Sequence, residues 1–258
     1  DLYGQRIIDE FAEAGVDTSQ VVFSDDMITP LASVLVNRLT GSRTIITRKM
    51  QTPPSLTYEQ KLKLDDLAER LIASEEPVTI LIDGHEAEIS EYLIKKLPNA
   101  RVVMDGGSLR ASNIKLAAWT DYFVVSEHFA RDYMSYRSLS TEAEIKAALI
   151  ELNKICRGEA FITLGEKGCA FLKSGMLQIV PSWLCNAVDT TGAGDVFHGA
   201  FTYGVHYSWH IDNIILFASL TAAISIEKKG VRESMPDLAV VHHSLNSYER
   251  NLTQYFEE

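Results

Sequence analysis

Apolar positions lay out the plan of this chain. From Leu2 to Ala14, Ile7, Ile8, Phe11 and Ala14 recur at helical spacing, and Gly15 stands where a helix would stop. The stretch LASVLVNRLTGSRTIITRK, residues 31–49, is instead β-branched and alternating, with Thr40, Gly41 and Ser42 at its break. That pattern predicts a hairpin with two partly polar faces, suited to project from a domain. After QTPPS, strand and helix alternate. A helix near 58–73 precedes the strand Val78 to Ile82, and a helix with Ile89, Leu93 and Leu97 on one face precedes RVVMD, Arg101 to Asp105. A short helix near 112–118 precedes YFVVS, Tyr122 to Ser126. Helices from Glu127 and over about 141–156, the latter opened by Thr141 and Glu144 at capping-box spacing, precede AFITLG, Ala160 to Gly165. Two short strands at 169–173 and 176–180 and helices near 194–207, 212–228 and 237–246 complete the chain. Short, nearly all-apolar strands separated by helices predict an α/β fold with a mostly parallel sheet covered on both faces.

Ligands collect at the carboxyl ends of the strands in such sheets. The unusual residues fall there: Asp83-Gly84-His85, Asp105-Gly106-Gly107, Ser126-Glu127 and Thr163-Leu164-Gly165. Asp83, His85, Asp105 and Arg110 are candidates to touch ligand hydroxyls or phosphate. Arg43, in the hairpin, has the planar fork that suits an anionic substituent. Each reads equally as a solvated or capping residue.

One loop carries a sharper signal. In VDTTGAGDVFHGAF, residues 188–201, glycines run directly into a predicted helix beginning near Gly194. The first N–H groups of a helix are unpaired and carry about half a positive charge, so they attract an anion. Without side chains, TGAG, Thr191 to Gly194, lets those amides touch a phosphate. Asp195, in the first turn, would repel a phosphate as a binding group but is well placed as a general base for an attacking alcohol. The plainer reading is a tight strand-to-helix joint with a helix-start acid.

Composition narrows the class. Of 258 residues, 46% are apolar and 23% charged, as in an ordinary globular protein with one large core. A formal charge of −11 argues against a broad nucleic-acid or anionic-membrane surface, so an anionic ligand needs a local site. The longest apolar run, near 211–226, contains Asp212, Asn213, Ser219, Thr221 and Ser225 and reads as a buried helix, with no membrane partner expected. Cys156, Cys169 and Cys185 suggest neither a disulfide framework nor a zinc site, and the cytoplasm is the expected location. Asp1 opens the sequence with no charged-then-apolar leader after it, and further residues are expected upstream. His198 is assigned to packing or a hydrogen bond, His242-His243 to no metal, and Trp119, Trp183 and Trp209 to core or edge positions.

The string DTTGAGDVFHGAF closely resembles the C-terminal signature of the ribokinase-like, or PfkB, carbohydrate kinases. Four further segments are similar to that family in the right order: DLYGQRIIDEFAEAGVDTSQV to its early helix, SVLVNRLTGSRTII to its lid strands, VVMDGGSLR to its D-x-x-x-R strand end, and ITLGEKGCAFL to its nucleotide strand. A fifth, FASLTAAISIEKKGVRESMP, is similar to the helix and glycine loop beside the adenine. The resemblance implies a single three-layer ribokinase-like domain over 1–258, with a small projecting β lid at about 31–49. It implies an ATP-dependent sugar kinase that uses Mg²⁺ and in some relatives K⁺, with possible pairing into a homodimer through the lid. Asp195 becomes the base, and Gly192, Ala193 and Gly194 become the anion hole. Thr163, Gly165, Gly168 and Thr191 border the nucleotide, Ala222, Ser225 and Gly230 lie near the adenine, and Asp189 lies near the potassium ion.

Two departures from the family pattern stand out. Where many relatives carry N-x-x-E, with the glutamate orienting water on Mg²⁺, this chain has Ser126 and Phe129; Glu127 is nearby but out of register. A similar loss of the Asn in the ketohexokinase-like and sulfofructose-kinase-like branch points the substrate toward ketoses or their derivatives. Family members also usually begin with a strand bearing a substrate-binding aspartate, so about the first fifth of a typical member is expected to precede Asp1. A nucleoside or pyrimidine-derivative kinase and a non-catalytic nucleotide or sugar sensor remain alternatives. A dinucleotide oxidoreductase is disfavoured, because no G-x-G-x-x-G opens a first βα unit.

Overall fold

The computed structural model describes residues 1–23, 28–36, 43–47 and 55–245. The chain divides into two compact units, residues 1–73 and 74–258. In the first, α1 (Leu2–Glu13) is capped by Asp1, whose carboxylate accepts the Gly4 N–H at 2.9 Å. Strands β1 (Ala32–Val36) and β2 (Arg43–Thr47) pair antiparallel, with Ala32 opposite Thr47, as their alternation predicts. Successive side chains face opposite ways, so the exposure of both Val34 and Leu35 shows a ribbon with two open faces. The turn residues Thr40, Gly41 and Ser42 lie outside the described residues, as does the side chain of Arg43. Helix α2 (Tyr58–Ala73) closes this unit and buries Leu64 and Ala68.

The second unit runs β3 (Thr79–Ile82), α3 (Ala87–Lys96), β4 (Arg101–Gly106), α4 (Ala111–Ala117), β5 (Tyr122–Ser126), α5 (Glu127–Tyr133), α6 (Glu142–Asn153) and β6 (Glu159–Thr163). It continues with β7 (Cys169–Lys173), β8 (Met176–Val180), α7 (Ala193–His206) and α8 (Ile211–Ser225). Residues 238–245 are again helical, and position 246 of the expected last helix lies outside the described residues. The sheet order is β3-β4-β5-β6-β7-β8, parallel through β6 and antiparallel beyond it.

Strand alternation divides the interior in two. Val102, Met104, Phe123, Val125, Ala160 and Ile162 point into one core with Ile94, Leu116, Phe129 and Leu149 from α3 to α6. Val103, Val124 and Phe161 point into the other with Phe197, Phe201, Ile214 and Ala218 from α7 and α8. Both sheet faces are therefore covered, which explains strands apolar at nearly every position. Burying each such phenylalanine contributes about 2–3 kcal/mol.

Of the boundaries that differ from the sequence pattern, two have identifiable reasons. β6 stops at Thr163 because Leu164 donates its N–H to Gly168 O at 2.7 Å, closing a tight turn around Gly165–Lys167. α8 stops at Ser225 because the Ile226 carbonyl accepts the N–H groups of Val188 and Asp189. Among the described residues, no helix is long and apolar enough to cross a membrane.

The cysteines supply a check on the packing. Cys169 is fully buried, which pushes its thiol up to about 12; burial pushes Cys156 to about 11, and Cys185 is raised less. Because the thiolate is the reacting form, iodoacetamide at pH 8 is expected to label Cys185 first. Cys169 should stay unlabelled until the protein unfolds, as read by peptide mass.

Candidate functional site

Helix α7 begins without a side-chain cap. Its N-cap is Gly192, at φ 74° and ψ 1°, the left-handed region that a side chain disfavours. A Cβ there would also lie 2.4 Å from Val231 Cγ1, so the loop is closed on that side. At Gly194 the situation reverses: it is exposed, and an added Cβ would meet nothing within 4 Å. Asp195, also exposed, sits in the same first turn. The helix thus presents its amino end, flanked by a carboxylate, toward open space on one side only.

The loop before the helix is pinned by Asp189. Its Oδ1 accepts the Thr191 N–H at 3.0 Å, and its Oδ2 accepts the Gly230 N–H at 3.3 Å. This carboxylate therefore ties the start of α7 to the glycine loop that follows α8. Val188 and Asp189 add backbone bonds to Ile226. The residues expected near adenine border the same junction. Ala222 is half-buried, and Ser225 is buried with its hydroxyl donated to Ala222 O at 2.8 Å.

Across the strand ends, the structure joins some candidates and separates others. Asp105, at the end of β4, approaches α7: its Oδ2 lies 3.3 Å from His198 Nδ1, and that nitrogen is 2.7 Å from Gly194 O. Ser126 caps α5 through Phe129 N and donates its hydroxyl to Gly107 O at 2.9 Å, linking the ends of β4 and β5. Phe129 is fully buried in the first core, so the place of the family glutamate is taken by a packing residue. Glu127 is half-buried at the first position of α5. Thr163 is half-buried at the end of β6, and Gly165 is exposed. Gly168, at φ 101°, is buried where a Cβ would lie 1.9 Å from Val180 O, so packing demands that glycine. Asp83 is exposed and its Oδ1 accepts the His85 N–H at 2.9 Å, while Arg110 is the half-buried N-cap residue of α4.

Sequence reasoning missed Asn113. Fully buried in α4, it donates its amide N–H to Asp83 O at 3.1 Å and so fixes the end of β3. Its only sequence signal is a polar residue on an otherwise apolar helix face. Among the described residues, no group of three or more His, Cys, Asp or Glu could hold a metal ion.

Comparison with known proteins agrees with this architecture. A ribokinase from Lactococcus lactis is 29% identical over 189 residues, which cover 73% of this chain and 60% of that relative. A ribokinase structure from Giardia lamblia superposes with a TM-score of 0.81 at 20% identity, covering 96% of this chain and 80% of that one. The Arabidopsis thaliana ribokinase complexed with ribose and ATP gives a TM-score of 0.71 at 20% identity, covering 89% and 73%. The fold is ribokinase-like. Residues 1–238 match the family model of the pfkB family carbohydrate kinases, and the chain belongs to that family.

Proposed function

We propose that this chain transfers the terminal phosphoryl group of ATP to a primary hydroxyl of a sugar, in the cytoplasm. The observation that carries this reading is the uncapped, one-sidedly open start of α7 with Asp195 in its first turn. Amides of Gly192, Ala193 and Gly194 stabilise the negative charge on the transferring group, since preorganised donors need no reorganisation as charge develops. Asp195 orients the acceptor hydroxyl and takes its proton as the oxygen attacks phosphorus. Asp83 and Asp105, at adjacent strand ends, accept hydrogens from other sugar hydroxyls.

Mg²⁺ would arrive with ATP and neutralise phosphate charge. Such ions are usually held by substrate phosphates, waters and one or two carboxylates. Glu127 would supply the nearby carboxylate. The sugar is a pentose or a ketose: the Arabidopsis neighbour is named with ribose, and the Ser126 and Phe129 departures favour ketoses.

The test is ADP release from MgATP in the presence of pentoses, ketoses, nucleosides and sulfonated sugars. One sugar should raise the rate well above the sugar-free background, and saturation at about 100 times its dissociation constant should add about 2.7 kcal/mol of stability in a thermal shift. Binding without transfer would support a sensor instead. Asp189→Ala is expected to raise KM for MgATP about tenfold while changing kcat less, because it frees two backbone N–H groups that hold the nucleotide-facing loop. Initial rates at varied MgATP check this.

A further inference from the structure

His198 occupies a position that packing alone does not explain. Its side chain is only 4% exposed, yet it is surrounded by three oxygens from three segments. Nε2 lies 3.1 Å from Val124 O in β5, and Nδ1 lies 2.7 Å from Gly194 O in α7 and 3.3 Å from Asp105 Oδ2 at the end of β4. All three neighbours are hydrogen-bond acceptors, so the ring is held through N–H donation, and a buried donor held in this way restricts the geometry of the groups around it. Each contact here runs to an element that bears on the site. Gly194 belongs to the anion-holding turn, and Asp105, whose side chain is 18% exposed, reaches the surface where a sugar would bind. Val124 anchors the ring to the sheet interior.

We propose that His198 is a positioning residue that couples the sugar-facing end of β4 to the phosphate-facing start of α7. It touches neither substrate. Its ring sets the pitch of the first turn of α7 against Asp105, so that the Gly194 amide and Asp195 are aimed at the same reacting atoms. Near-attack geometry is sensitive at about the 1 Å level, so loosening this link lowers kcat more than it lowers affinity. This inference rests on the kinase reading above and adds to it a residue outside the loop motif.

Two variants separate hydrogen bonding from shape. His198→Phe keeps ring volume and loses the polar contacts, whereas His198→Gln keeps N–H donors for the surrounding oxygens. With the sugar found by the screen, His198→Phe is expected to lower kcat about 30-fold with KM for MgATP within twofold, and His198→Gln to recover much of that loss. Asp105→Asn combined with His198→Phe should lower kcat by clearly less than the product of the single effects, because both break one link. A residue that serves only the core would show the opposite order, with Phe tolerated and Gln harmful, and effects that multiply. An activity-independent arm is hydrogen exchange at the amides of Val196, Phe197 and His198 without substrate. Exchange there should accelerate in both His198→Phe and Asp105→Asn while α8 is unchanged. Unchanged exchange, or full kcat in His198→Phe, overturns the coupling. A wild-type chain that transfers phosphate to no acceptor overturns the kinase reading instead, and the exchange arm still decides the coupling.

Discussion

Asp195→Asn is expected to lower kcat by about a thousandfold, or about 4 kcal/mol of transition-state stabilisation, while leaving nucleotide affinity within about twofold. The substitution keeps the size and shape of an exposed side chain in the first turn of α7 and removes its ability to accept a proton. Loss of a helix-start charge changes stability by only about 0.3–1 kcal/mol, so the fold should survive. Steady-state rates, together with nucleotide titration of the variant, separate the two effects. If Asp195 were merely a helix-start acid, the variant would turn over normally.

The two glycines of the loop are expected to respond in opposite ways to the same methyl group. Gly192→Ala meets both a positive φ and the Val231 side chain, so it should lose about 2–4 kcal/mol of stability along with most activity. Gly194→Ala meets nothing and gains helix propensity, so its melting temperature should stay level or rise. Yet a Cβ tilts toward the helix amino end, where a phosphate would approach, and turnover should fall about a hundredfold. Melting curves and kcat measured on both variants test this contrast. A fully active Gly194→Ala would mean that the open space beside that residue is not where phosphate sits.

The sheet was legible because its strands are buried on both faces. Tyr122 to Ser126 and Ala160 to Thr163 are nearly all apolar, and the structure places them where the pattern did. Ends were harder to place, because they depend on partners distant in sequence. Nothing local to Ile226 announces that its carbonyl will accept two N–H groups from the 188–189 loop. The same holds for the site. The loop 191–195 was readable from its own residue types, since glycines before a helix and an acid within it have a local meaning. The linkage through His198 was not, because its partner Val124 lies 74 residues away and Asp105 farther still. Asp189 was read as near an ion from the family resemblance; that its carboxylate oxygens also accept backbone N–H groups from two loops was not legible, because Gly230 lies 41 residues away. Gly168 was read as bordering the nucleotide; its close approach to the Val180 and Pro181 backbone was not legible, because only the fold brings those residues together.

The most direct test is a crystal structure of the chain with a non-hydrolysable ATP analogue, Mg²⁺ and the accepted sugar. The account expects a terminal-phosphate oxygen about 3 Å from a backbone nitrogen of residues 192–194, with a sugar hydroxyl in hydrogen-bond reach of the Asp195 carboxylate. A terminal phosphate bound elsewhere, with that helix end facing solvent and Asp195 remote from the sugar, would contradict it.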